Sequence, residues 1–485
     1  NGTSDVPSVL LVPVSVTQDN VMETVIADGF RTLDEICVGD YEQYCADLEA
    51  MDGGDEEMAE EEMDEEMDEE MDEEMAMGEQ MVPAPACDVD LTGETLVLYQ
   101  QAGREGPLAS ILGQGFAYAT EDALTMINDE GGICGATVEV VFGETNYDTE
   151  QEIAVYEQFR AADPKPFILF TYGSGATVAL KDRVIEDQIV NFAAGLNADA
   201  IYIPRGGYTY GSAPIYSDQF AGYLTYLSEN WDEVKPASAG DEIIVGVIGW
   251  PNAFGAGATT PEALAVAEEL GITVLPLEEQ PLSPDADVSG QVQNMIVSGA
   301  NVIWNQSLSF SPAQVIGTVH ALGFWEDVQV AGVNWAMNND VPLFLGDNPQ
   351  LMDGYCGMFP YAYWSDTDIP GVQAAMAMFE QAERPEADRS TTYLTTFGQF
   401  LAARDIMIET VNRIGSADIT GEDVLNTMVE MGTVSGGGIS VYDVDEETRS
   451  PRQSQVRCIS WDGEQLNWDI TEDFFELPDT RPAEN

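Results

Sequence analysis

The stretch Ser174-Gly175-Ala176-Thr177 places two hydroxyl residues and a glycine between an apolar run at 166–170 and a helical stretch. Backbone N–H groups at a helix start, joined by hydroxyls, suit an anionic group such as a carboxylate. The same residue types also serve as ordinary N-caps. A second set of chemistry-bearing residues follows later apolar runs. Trp250 and Phe254 follow one, Trp304, Asn305 and Ser307 another, and Trp335 a third. Aromatic walls with a few amide and hydroxyl contacts are what a small-molecule cleft requires, and core aromatics carry the same signature. Catalytic chemistry is poorly provided for. His320 is the single histidine, which argues against His-based triads and His-rich metal sites, and neither a G-x-S-x-G elbow nor a phosphate loop occurs. The expectation is a binding protein without catalytic residues, metal or cofactor.

Charge narrows the partners. The 485 residues carry 16 Lys+Arg against 88 Asp+Glu, a formal net charge of −72. Nothing here neutralises phosphates, so a nucleic-acid partner is excluded. Docking on an anionic membrane surface through basic residues is excluded likewise. No uncharged apolar run approaches the ~20 residues of a membrane helix. Residues 52–79 hold 17 acidic and no basic residues, yet acidic residues outnumber basic ones several-fold in the remainder. Such a surface keeps a protein soluble where salt screens self-repulsion, which reads as exposure to saline surroundings or as compositional bias of the lineage.

The chain divides into three parts: a short piece at 1–50, a linker at 51–86 and a main body at 87–485. In the linker, Met63, Met67, Met71 and Met75 recur every fourth residue among acidic residues. Like charges at that spacing oppose a helix, so the repeat reads as an extended spacer, with an isolated helix or a diffuse cation binder as alternatives. Residues 81–86 close it with Pro-Ala steps. In the first piece, residues 9–16 read as a strand and 21–27 as a short helix, with Cys37 and Cys45 close enough to pair.

The main body alternates strand and helix. Strands are expected at 95–99, 137–142, 166–170, 191–194 and 200–203, with a helix at 115–129 stopped by Gly131-Gly132. The pattern restarts after residue 240, with strands at 242–249, 272–276, 301–304 and 328–332 and helices at 261–270, 288–298 and 312–322. Such alternation makes a parallel sheet flanked by helices, and two series of similar length make two lobes. Ligands of open α/β sheets bind beyond the carboxyl ends of the strands. Cys87 and Cys134 precede adjacent parallel strands, so a bridge between them is expected. An even count of six cysteines favours an oxidising compartment, periplasm or cell exterior.

Over residues 94–470 the sequence resembles the branched-chain amino acid (Leu/Ile/Val)-binding group of type I periplasmic solute-binding proteins. The segments that carry the resemblance are GREGPLASILGQGFAYATEDALTMINDEGGICG (103–135), FTYGSGATVAL (170–180), IYIPRGGYTY (201–210), NAFGAG (252–257), SGGGIS (435–440) and VRCISWDG (456–463). Residues 1–50 resemble the C-terminal tail of a monosaccharide-binding type I protein. That likeness implies a chain beginning inside another domain, a fragment of a longer tandem protein or a processed product. The fold implied is two-lobed α/β, each lobe a parallel sheet flanked by helices, joined by three hinge crossings. Lobe one is placed at 92–205 and 358–432, and lobe two at 206–357 and 433–470.

The resemblance also implies site residues. Ser174, Gly175 and Thr177 match the turn that holds a ligand carboxylate. Ala194 and Gly195 match a second turn that often carries a hydroxyl, which Gly195 lacks. Asn334 stands where amino-acid binders often place a carboxylate against the ligand ammonium. These two departures disfavour an α-amino acid and suit an amide, a short carboxylic acid, a urea-like solute or a polyol. Tyr208, near the first hinge, joins Phe254, Asn305, Ser307 and Trp335 in the expected pocket. Cys356 and Cys458, both near hinge strands, are expected to pair. The function implied is extracytoplasmic capture of a small polar ligand for the membrane subunits of an ABC importer. The alternative is a cell-surface structural protein that keeps the fold and self-associates through residues 1–50.

Overall fold

The computed structural model describes residues 80–483. The expected strand at 9–16, the acidic repeat and the Cys37–Cys45 pair lie outside the described residues.

Two sheets organise the body. The first has five parallel strands in the order β2-β1-β3-β4-β5. They are β1 Thr95–Ala102, β2 Thr137–Glu144, β3 Ile168–Thr171, β4 Val190–Ala193 and β5 Thr209–Gly211. The second sheet contains β6 Ile244–Gly249, β7 Thr273–Val274, β8 Glu278–Glu279, β9 Val302–Gln306, β10 Gln329–Gly332 and β11 Cys356–Phe359. After a separate two-stranded ribbon, β12 Thr433–Ser435 with β13 Val441–Asp443, come β14 Gln453–Trp461 and β15 Leu466–Glu476. The second sheet runs β15-β14-β11-β10-β9-β6-β7, with β8 on β6. Its strands are parallel from β6 to β11, and β14 and β15 add antiparallel pairs at one edge. This is the two-lobed α/β fold expected from the alternation.

Local chemistry explains most element boundaries. Helix Thr149–Phe159 starts where the Asp148 carboxylate accepts the Gln151 N–H, and helix Thr391–Ile414 where the Ser390 hydroxyl accepts the Tyr393 N–H. The latter ends at Gly415, whose φ of +75° a side chain would strain. Helix Ala109–Asp129 packs on it. Between them the buried Asp122 carboxylate accepts hydrogen bonds from Tyr393 Oη and Arg384 Nη2, both at 2.7 Å. A charge taken out of water is thereby fully partnered.

Three expectations need correction. Residues 200–203, expected as a strand, fold as one helical turn, Ala198–Tyr202. The Asn197 carbonyl accepts the N–H groups of Ala200 and Ile201, and Pro204, with no N–H to give a ladder, ends the run. The sheet's fifth strand lies further on, at β5. Residues 81–86, expected as the stiff end of a linker, are docked on the body. Val82 is buried, Arg404 donates to the carbonyls of Val82 and Pro83, and Asn412 donates to that of Ala86. Val434, Ile439, Tyr442 and Val444 are buried in the core of the first sheet, so this segment sits with lobe one, where the sequence reading placed it in lobe two.

Two disulfides form as expected. Cys87 and Cys134 have Cα atoms 5.4 Å apart. Cys356 on β11 stands directly opposite Cys458 on β14, with Cα atoms 4.0 Å apart. Apolar packing forms one core under the first sheet and another on one face of the second. A third, rich in aromatic rings, runs from Phe116 and Tyr172 of lobe one to Trp250, Phe310 and Trp335 of lobe two.

Candidate functional site

The carboxyl ends of strands from both sheets converge on that aromatic core. Gln101 lies at the end of β1, Thr171 and Tyr172 at β3, Ala194 just past β4, Trp250 just past β6 and Trp335 in the turn after β10. Between them lies a nearly closed cavity of about 10 Å³, measured as room for the centre of a water-sized sphere. That is about the least space that holds one water. Phe116, Phe170, Tyr172 and Trp335 supply its aromatic walls; Gln101, Thr392, Thr395, Thr396 and Gln399 supply polar groups. The Tyr172 ring centroid lies 6.2 Å from that of Phe116 and 5.7 Å from that of Trp335.

Three of the lining residues carry buried polar atoms with no partner in the protein. These are both ends of the Gln101 amide, the Tyr172 hydroxyl and the Thr392 hydroxyl. Gln101 is 1% exposed and Thr392 2%. Leaving such groups unpaired costs about 1–3 kcal/mol each, so their concentration around one cavity marks a site built for a guest.

The turn from β3 into helix Ser174–Asp187 is internally satisfied. Ser174 Oγ lies 3.2 Å from the hydroxyl of Tyr216, which also reaches the Ala194 carbonyl at 3.3 Å. Burial pushes the Tyr216 phenol up to about 12, against hydrogen bonds from Ser174 and Trp335 that favour its charged form. Thr177 Oγ1 donates to the Gly173 carbonyl at 3.1 Å. The N–H of Ala176 goes to the carboxylate of Glu152, a buried residue of helix Thr149–Phe159. A side chain at Gly173 would overlap that carboxylate, and one at Gly175 would overlap Thr149. Gly195 has no room either: a Cβ there would crowd Thr177, Ser174 and the Gly173 carbonyl. The hydroxyl missing at 195 is thus a consequence of two turns packed against each other.

The remaining expected residues divide. Ala194 and Trp335 line the cavity. Phe254 packs its ring 5.0 Å from that of Tyr216. Asn305 donates to the Ala331 carbonyl, while its Oδ1, Ser307 Oγ and both ends of the Asn334 amide are buried without partners. Tyr208 belongs to the core under the first sheet, where its hydroxyl accepts from Gln188 at 3.4 Å; it does not line the cavity. Trp304 is core, packed on Phe220 and Tyr223.

Sequence reading missed Gln101, Tyr172, Glu152, Thr392 and Asp340. The strand-end positions of Gln101 and Tyr172 and the hydroxyl run Thr391-Thr392 with Thr395-Thr396 were the available signals. Asp340 is buried, and its two oxygens accept from the Ser309 hydroxyl at 2.9 and 2.8 Å. Burial raises both Glu152 and Asp340 to about 7. Among the described residues neither has a lysine or arginine within ion-pair distance, and none lines the cavity.

A family model described as periplasmic binding protein matches residues 102–462. A search of curated proteins returns no match. Solved structures share the fold. A branched-chain amino acid ABC transporter protein from Thermus thermophilus with bound valine superposes with a TM-score of 0.67 at 18% identity, covering 80% of this chain and 97% of that one. A substrate-binding ABC transporter protein from Aeropyrum pernix gives 0.67 at 17%, covering 81% and 100%. A solute-binding protein from R. palustris in complex with 4-hydroxybenzoate gives 0.64 at 16%, covering 79% and 98%. With the matched region spanning both sheets, this chain belongs to the periplasmic binding protein family.

Proposed function

We propose that this protein captures a small polar solute between its two lobes, outside the cytoplasm, and hands it to the membrane subunits of an ABC importer. The observation that carries this reading is the cavity at the strand ends of both sheets, ringed by aromatic side chains and by the unpartnered polar atoms of Gln101, Tyr172 and Thr392. A cavity this small cannot hold a solute without the walls parting, which fits a binder whose lobes hinge open. The valine, the 4-hydroxybenzoate and the transporters named in the structures of similar fold support the class of ligand and partner. Two disulfides support an oxidising compartment. Of the expected residues, Ala194 and Trp335 are the ligand contacts, while Ser174, Gly175, Thr177 and Gly195 shape the turn behind them.

Mass spectrometry of small molecules released on denaturing the natively purified protein tests this reading. A single stoichiometric solute that stabilises the refolded protein is the expected result. No released molecule, together with no thermal shift across amino acids, amides, polyols and short acids, would exclude it.

A further inference from the structure

We propose that the cavity selects an uncharged, planar, amide-bearing solute and rejects carboxylates, and that Glu152 sets this preference. The proposal rests on the solute-binding reading above and names the class of solute.

The first argument is hydrogen-bond arithmetic. Gln101 presents an unpaired amide oxygen and an unpaired amide nitrogen at the cavity wall. A ligand amide has one acceptor and two donor hydrogens, so it answers both atoms whichever way the Gln101 amide is turned. A carboxylate is acceptor-only. It satisfies the nitrogen and leaves the Gln101 oxygen unpaired and facing another acceptor. The hydroxyls of Tyr172 and Thr392 act as donor or acceptor and suit either guest.

The second argument is charge. The eleven lining residues include no arginine, lysine or histidine. The nearest helix start, which would otherwise attract an anion, already holds one: the Glu152 carboxylate takes the Ala176 N–H, and the absent side chain of Gly173 makes its room. A ligand carboxylate at this turn meets an occupied donor and a like charge in a water-poor setting, where opposition is strongly felt. Asp340, buried without a cationic partner, adds a second negative group on the lobe-two side. The third argument is shape. The rings of Phe116, Tyr172 and Trp335 stand 5.7–6.2 Å from one another in sequence around the cavity, so a flat guest slides between them with least rearrangement.

Titration calorimetry of benzamide, benzoate and benzylamine at pH 8 on the wild type and on Glu152→Gln tests the proposal. Benzamide is expected to bind the wild type at least tenfold tighter than either charged analogue. Glu152→Gln, which keeps the shape and removes the charge, is expected to narrow the benzamide-to-benzoate gap at least threefold. Benzoate binding as tightly as benzamide to the wild type would overturn the selection against carboxylates while leaving the solute-binding reading intact. Tighter benzylamine would overturn the uncharged class. An unchanged gap in Glu152→Gln would overturn the role of Glu152. The wild-type comparison decides the selectivity even where the variant fails to fold. Failure of all three probes on the wild type would overturn the planar class, and the released-molecule experiment then judges the solute-binding reading separately.

Discussion

The hydroxyl of Ser174 lies 3.2 Å from that of Tyr216. Ser174 is the residue whose type and place in the chain best suit it to hold a ligand. In the folded protein its partner is a phenol from the helix Tyr216–Val234, which packs with lobe two. A strand-to-helix turn of one lobe is thus tied to the other lobe by a direct polar contact. Whatever opens the cleft must break it.

Ser174→Ala is therefore expected to lower unfolding stability by about 1 kcal/mol, the usual net worth of one hydrogen bond, with less than a threefold change in affinity for the released solute. Chemical denaturation and titration calorimetry check this. A tenfold loss of affinity at unchanged stability would show that Ser174 contacts the ligand directly.

Trp335 is expected to matter to both. It is buried, lines the cavity and touches the Tyr172 ring. Trp335→Ala should cost about 3 kcal/mol of stability, on the scale of large-to-small core changes, and weaken solute binding more than tenfold. Trp335→Phe should recover most of the stability and part of the binding. Full affinity in Trp335→Ala would remove this residue from the site.

Stability should fall as pH rises from 5 to 8. Burial raises Glu152 and Asp340 to about 7, and Asp218 and Asp405 to about 6. Between the unfolded value near 4 and these folded values the native state binds more protons than the unfolded chain. Its advantage is complete below pH 4 for these groups and is lost as pH rises through 6 and 7. Calorimetric melting at constant ionic strength should give a descending Tm over this range, with a shallower slope in Glu152→Gln. A Tm that rises between pH 5 and 8 would contradict the burial of these carboxylates.

Two truncations should behave differently. Removing residues 1–79 is expected to leave the main unfolding transition within 1 °C of the full chain. Removing 1–86 takes away Val82 and the carbonyls that Arg404 and Asn412 use. It should lower stability by about 2–4 kcal/mol, because buried donors lose their partners. Equal Tm values for the two truncations would show that residues 80–86 add nothing to the body.

The alternation of apolar runs with helical stretches was enough to read two parallel sheets and two lobes, because burial on both faces leaves continuous apolar strands that survive in composition. The order of short segments such as FTYGSGATVAL placed the strand ends and so the cleft. Cys87–Cys134 was legible because adjacent parallel strands start together, and Cys356–Cys458 through the family likeness. Elements carried by a single turn were not legible. Residues 200–203 have strand-like composition, and only the Asn197 carbonyl and Pro204 decide for a helical turn. Which polar residues the site uses was also hidden. A sequence shows that Ser174 and Thr177 have hydroxyls, but not that Tyr216 and the Gly173 carbonyl already engage them. Nor does it show that Glu152, 22 residues earlier in the chain, caps the same helix. Hydrogen-bond partners are allotted by three-dimensional proximity. The unpartnered atoms of Gln101, Tyr172 and Thr392 therefore emerge only once every other donor and acceptor around them has been placed.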